Sequence, residues 1–199
     1  MPTFNHQLHN SLENSYAQGY LPQRNHSGLF YLSTSCRSNL KNSTLSSENK
    51  RILNTTASYT FKKIALKDFS YTIDIQKKIY GWIKELGWDF PIASVKNIFT
   101  NHIFNKLYIW SDQQQVIGYA ICLFTSEISH IAYVFYNPEY ARRNLPIRMV
   151  LEVIIDSQSS GLNFCYLGQF TPNNGYYKRN MPGFEYFHNN QWVTFNKNI

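Results

Sequence analysis

The sequence predicts an α/β fold, and three observations predict it. Two amphipathic helical patterns occupy the middle of the chain, three β-rich runs follow them, and an apolar helix then leads into a short buried strand. A strand that follows its neighbour through a helix runs parallel to it, whereas strands joined by short turns run antiparallel, so both kinds of pairing belong to one helix-covered sheet.

Taken in order, residues 1 to about 28 are rich in Asn, Gln, His and Ser and read as a loosely ordered arm. The aromatic run "GLFYLSTSC" predicts a strand from Leu29. The stretch "RSNLKNSTLSSENKRILNTT" is polar and basic, and its tail predicts a short capped helix from Ser46 or Ser47. Ile75, Ile79, Trp82, Ile83 and Leu86 recur at helical spacing and stop before Gly87. Pro91 suits the first turn of a second helix, with Ile92, Val95, Phe99 and Ile103 on one stripe. From Lys106, "KLYIWSD", "QVIGYAICLF" and "ISHIAYVFY" predict an antiparallel meander. A helix over Leu145–Ser157 turns Ile147, Val150, Leu151, Ile154 and Ile155 to a core, and "FCYLG" after Gly161 is a short buried strand. The loop "QFTPNNGYYKRNMPG" leads to the closing runs "FEYF" and "QWVTF". This order is that of an acetyltransferase-like (GNAT-type) fold, a mixed sheet flanked by helices. The expected division is residues 1–69 as arm and small basic region and 70–199 as the acetyltransferase-like domain.

A chain of 199 residues can bury one sizeable core. A net charge of +7 fits a polyanionic partner such as nucleic acid, and fits equally a basic enzyme whose charge only aids solubility. The three cysteines, Cys36, Cys122 and Cys165, form no C-x-x-C pair, so neither a disulfide framework nor a bound metal is expected. Cys122 and Cys165 sit in apolar runs and read as core. The polar N-terminus lacks a hydrophobic signal region, and no apolar run reaches the length of a membrane span. The expectation is therefore a cytoplasmic protein with no membrane partner.

In "AYVFYNPEYARRNLPIRMVLEVI" a strand, a sharp turn and a helix follow one another. Such a junction delivers anions to free N–H groups at a helix start. Phosphate-wrapping turns are glycine-rich; this one has no glycine, and Pro146 removes a donor, which weighs against a coenzyme A site. Arg142 and Arg143 can instead bind phosphate through their side chains, or be a solvated pair. In "YYKR", Lys178 and Arg179 follow tyrosines able to stack on a base or to fill the core. No Ser-His-Asp, Cys-His or metal pattern is present; His102 and His130 read as structural. Glu139 is the acid nearest the strand end.

Three stretches, "ISHIAYVFYNPEYARRNLPIRMVLEVI", "YLGQFTPNNGYYKRNMPGFEYF" and "SSENKRIL", resemble the arginyl-tRNA–protein transferase family and its bacterial leucyl-transferring relatives. Tyr133, Val134, Phe135, Tyr136 and Pro138 match the family's Y-V-F-Y-D-P strand. Tyr166, Leu167 and Gly168 match its Y-L-G strand, and Tyr177, Lys178, Pro182 and Glu185 fit the loop after it. Lys50 and Arg51 stand in its basic segment. The resemblance implies transfer of Arg or Leu from aminoacyl-tRNA to a protein or peptide N-terminus, without a cofactor. It implies Tyr133, Tyr136 and Tyr177 at the reacting centre, and Asn137, Glu139, Tyr166 and Gly168 against substrate. Arg142, Arg143, Lys178 and Arg179 would hold tRNA. The sequence departs from the family pattern at Asn137 (for Asp) and Pro146 (for Gly), and keeps only Cys36 of the N-terminal cysteine cluster. The alternatives are an acyl-CoA N-acyltransferase and an inactive RNA- or peptide-binding module of the same fold.

Overall fold

The structure is a computed structural model, and it describes residues 12–23, 28–41, 43–100, 103–171 and 175–195. In chain order its elements are α1 (Leu12–Ala17), β1 (Tyr20–Pro22), β2 (Phe30–Leu32), β3 (Ser35–Asn39), α2 (Ser47–Thr55) and β4 (Thr60–Ala65). Then come α3 (Ile73–Glu85), α4 (Ile92–Thr100), β5 (Lys106–Asp112), β6 (Gln115–Phe124) and β7 (Ile128–Tyr136). The chain closes with α5 (Leu145–Ser159), β8 (Phe164–Gln169), β9 (Phe184–His188) and β10 (Gln191–Thr194). Eight strands form one mixed sheet in the order β10-β9-β3-β8-β7-β6-β5-β4, while β1 and β2 form a separate two-stranded ribbon.

The meander over β5, β6 and β7 is antiparallel, as the alternation predicts. Its first turn is Gln113-Gln114, both at positive φ, which gives the twist a two-residue hairpin requires. The helix after β7 makes β8 parallel to it. Alternate residues of these strands face opposite ways and build two cores. Trp110, Ala120, Cys122 and Cys165 pack under α2 and α5 with Ile52, Met149 and Ile154. Leu107, Tyr119, Ile121 and Phe135 pack under α1, α3 and α4 with Tyr16, Ile79, Ile83 and Val95. Burying each large aliphatic among these contributes about 1.5–3 kcal/mol. Cys122 and Cys165 are fully buried, as expected.

The Ser46 expectation for α2 holds in detail. The Ser46 hydroxyl accepts from Asn49 N at 3.1 Å and the Asn49 side chain accepts from Ser46 N at 3.3 Å, a reciprocal cap. Thr72 caps α3 one way, its hydroxyl accepting from Ile75 N at 3.4 Å. Ile103 lies beyond α4, and His102 falls outside the described residues.

Three expectations from the first third of the chain are corrected. The loosely ordered arm contains α1 and β1: Tyr16 is fully buried, with Oη 2.8 Å from His130 Nδ1, so a few apolar residues anchor a polar segment. The single strand from Leu29 is two short strands in two different sheets. The polar "RSN" is the end of β3, an interior strand between β8 and β9. Its polarity is internally satisfied: the Ser35 hydroxyl donates to Gly19 O, and Ser38 donates to Pro182 O. Arg37 pairs with Glu185 at 2.7 Å beneath the rings of Phe164 and Trp192. β3 and β4 both precede residue 70 and both belong to the main sheet.

Candidate functional site

The parallel ladder between β7 and β8 is short. It pairs Ile128 with Phe164, Ser129 with Cys165 and His130 with Tyr166, while β7 runs on to Tyr136. Beyond His130 the strands part and open a cleft of about 370 Å³. Its walls are Trp88, Val134, Tyr136, Pro146, Tyr177 and Lys178, over an apolar floor of Ile131, Val150 and Leu167.

Local chemistry fixes both walls. β7 ends where Asn137 N donates to Ile117 O at 2.9 Å and the Asn137 side chain accepts from Glu139 N at 3.1 Å. Pro138 then opens a 3-10 turn through Arg143. Asn144, at φ 63°, takes the left-handed conformation that joins this turn to α5. Asn tolerates this conformation better than most residues, which lets the junction dispense with glycine. On the other wall, Gly175 at φ 79° starts a 3-10 turn over Tyr176–Asn180. A Cβ on Gly175 would lie 2.9 Å from Gln169 O, so the chain can fold back here only without a side chain. The fold-back brings Lys178 Nζ to donate to Gln169 O at 2.8 Å.

Burial sets the charge states around the cleft. Desolvation holds the Lys178 ammonium below its usual range, an effect that nearby Cys36 partly offsets. Burial pushes the Cys36 thiol up to about 12, and the thiol donates to Gly168 O at 3.3 Å. His130 is driven down to about 3, first by burial and then by the Lys178 charge. Although 41% of Tyr177 is exposed, its hydroxyl lies deep among protein atoms near Cys36 and Tyr136, and burial pushes it up to about 12. Burial also raises Tyr136. At neutral pH the site thus presents neutral hydroxyls beside Lys178, and among the described residues no carboxylate lines it. Such a set can donate hydrogen bonds to a developing negative charge.

Of the residues singled out in the sequence, Tyr136, Tyr177 and Lys178 come together at the cleft, with Gly168 beside Lys178. Tyr133 lies on the opposite face of β7, against the rings of Phe90, Phe104 and Phe135. Tyr166 is fully buried, packs on Tyr16 and accepts from Arg37 Nη1 at 3.4 Å. Asn137 and Glu139 are bonded to each other in the turn. Arg142 is exposed; Arg143 sits over Tyr140 and bonds Tyr59. The Lys178-Arg179 pair divides: Arg179 stacks at 3.6 Å on Tyr176 and lines a separate pocket with Asn39 and Asn49. Sequence reasoning missed Trp88, which meets Tyr136 edge-on at 5.7 Å, while His130, read as structural, is buried and bonded to Tyr16. The available signal for Trp88 was an indole in the polar loop between two helices. Among the described residues no group of three His, Cys, Asp or Glu side chains is placed to hold a metal, and no helix is long and apolar enough to cross a membrane.

No curated protein matches the chain by sequence. Among solved structures it is similar to the C-terminal domain of a protein assigned as a lysylphosphatidylglycerol synthetase from Agrobacterium fabrum, with 12% identity and a TM-score of 0.52 over 69% of this chain and 46% of that one. It is also similar to L-PGS from Bacillus licheniformis, with 11% identity and a TM-score of 0.47 over 85% of this chain and 55% of that one. A third is the GCN5-related glucosamine N-acetyltransferase region of a fungal β-N-acetylglucosaminidase, with 12% identity and a TM-score of 0.49 over 77% of this chain and 19% of that one. The chain therefore spans about half or less of each of these proteins. At such identities the likeness is one of fold, and the fold is the acetyltransferase type expected from the sequence. Residues 48–188 match the family described as "Arginine-tRNA-protein transferase, C terminus", which takes in the whole cleft, and the chain belongs to that family.

Proposed function

We propose that the cleft transfers an amino acid, Arg or Leu, from aminoacyl-tRNA to the α-amine of a protein or peptide. The observation that carries this reading is the parting of β7 from β8 beside a desolvated lysine and two neutral phenols. An aminoacyl ester is already activated, so the work left is alignment of amine and carbonyl. The amine nitrogen bonds to the ester carbonyl carbon, a tetrahedral oxyanion forms, and the ribose oxygen leaves with the proton the amine gives up. An α-ammonium of pKa about 8 must first be deprotonated, and a cationic neighbour such as Lys178 lowers that pKa. On this reading the same side chain and the Tyr177 hydroxyl stabilise the oxyanion. The uncapped first turn of α5, which enters the cleft at Pro146, favours negative charge there as well. Arg142, exposed at the turn before α5, would contact tRNA phosphate on this reading.

Incubation with tRNA charged with a labelled amino-acid mixture and peptides of varied N-terminal residue tests the proposal. Label joined to a peptide amine through an amide names donor and acceptor together. Absence of transfer for every combination, or transfer only from acyl-coenzyme A, sinks it.

A further inference from the structure

A second hollow, of about 690 Å³, lies between the β4–α3 connection and the end of α4. It shares no lining residue with the cleft. Its walls are four rings, Phe69, Tyr71, Phe99 and Phe104, with Lys67 and Lys106 at its edge. Phe99 stacks on Tyr71 at 4.9 Å and lies 5.6 Å from Phe69. The Tyr71 hydroxyl is buried without a hydrogen-bond partner among the described residues. Leaving a buried hydroxyl unpaired is a standing cost, and most such groups in folded proteins have a partner. Burial pushes this phenol up to about 12, so it remains a donor at neutral pH. Neither lysine forms an ion pair among the described residues, and no carboxylate lines the hollow.

We infer that this hollow binds an aromatic carboxylate, its ring packed among Phe69, Phe99 and Phe104 and its carboxylate accepting from the Tyr71 hydroxyl beside Lys67 and Lys106. Each part answers one feature of the site. Aromatic walls favour a planar apolar body through edge and stacking contacts. The orphan donor takes an acceptor, and the two ammoniums call for one negative charge. A concave apolar chamber with a few convergent polar groups is the usual form of a small-molecule site.

The test is calorimetric titration of the full chain with 1-naphthoate, 2-naphthalenemethanol and octanoate. The expected result is saturable binding of 1-naphthoate, with the neutral alcohol and the aliphatic acid each weaker. Tyr71→Phe and the Lys67→Ala/Lys106→Ala pair should each weaken 1-naphthoate about tenfold, the equivalent of one hydrogen bond or charge contact. Unchanged thermal unfolding of these variants excludes a lost fold as the reason. Absence of binding up to millimolar 1-naphthoate overturns the inference, as does binding that both variants leave intact. An alcohol that binds equally well removes the anionic head from the assignment, and octanoate binding equally well removes the ring.

Discussion

Arg37 and Lys178 are two cations beside the same strand, β8, and they are held in opposite ways. Arg37 is enclosed: Glu185 lies at 2.7 Å, the Tyr166 hydroxyl at 3.4 Å, and the rings of Phe164 and Trp192 at 3.7 and 4.0 Å. Among the described residues Lys178 has one hydrogen-bond partner, the Gln169 carbonyl at 2.8 Å, with desolvation around its amine and an open cleft beside it. A cation paired with a carboxylate and enclosed by rings holds strands together. One with directions left over is available to a substrate. Charge and burial alone do not separate the two; what each cation faces does, a carboxylate and two rings for Arg37 and an open cleft for Lys178.

The comparison breaks first at Arg37. Arg37→Ala strands Glu185 in a nearly buried site and should cost about 3–5 kcal/mol in urea unfolding, whereas a loss under 1 kcal/mol would show the pair to be idle. Lys178→Met should do the reverse. We expect peptide aminoacylation to fall roughly 100- to 1000-fold while the urea midpoint moves little, as when a preorganised donor is removed from an oxyanion site. Tyr177→Phe removes one donor beside Lys178 and should lower kcat about ten- to a hundredfold with KM unchanged; an equal rise in KM would assign the hydroxyl to ground-state binding.

His130 sharpens the same contrast through pH, because the Lys178 charge helps to hold it neutral. Its folded pKa, about 3, lies below the usual 6.5, so the unfolded chain binds the proton first and acid destabilises the fold. That contribution is fully present above the usual value and is lost as pH falls towards the folded one. By pH 5 it should amount to about 2 kcal/mol relative to neutrality, and His130→Gln should flatten that part of the stability curve. If parent and variant lose stability in parallel, the imidazole is not buried as described. The smallest effect belongs to cations at the turn before α5, outside the cleft lining. Arg142→Ala with Arg143→Ala should weaken tRNA binding uniformly and reduce its salt slope by about one per lost phosphate contact, readable by filter binding at several salt concentrations.

Much of the frame was legible because it rests on periodicity. Apolar spacing located α3, α4 and α5, alternation located β5 to β7, and a connecting helix made β8 parallel. β3 was not legible, since its burial depends on Glu185, Gly19 and Pro182, partners remote in sequence that make Ser35, Arg37 and Ser38 acceptable inside a sheet. The cleft was half legible. Tyr177 and Lys178 follow the strand next to β7, which the order of elements already places beside Tyr136. Tyr133 was a misreading that strand geometry corrects, for residues an odd number apart point to opposite faces. Lys178 and Arg179 looked like one basic unit and diverge because a tight turn sends neighbours in different directions.

β4 is an outer strand of the eight-stranded sheet and, among the described residues, pairs only with β5. Its first four residues, Thr60 to Lys63, are exposed. The opposite outer strand, β10, is short and pinned by Trp192 Nε1 donating to Ala17 O at 2.8 Å. An outer strand with free main-chain groups invites a copy of itself to zip alongside, and lysines on it make that approach repulsive. Lys62 and Lys63 stand where they guard against it, with Lys63 tied to Asp156. Part of the chain's basicity thus works against its own kind: it keeps two sheets from becoming one long ribbon, whatever the remaining cations bind.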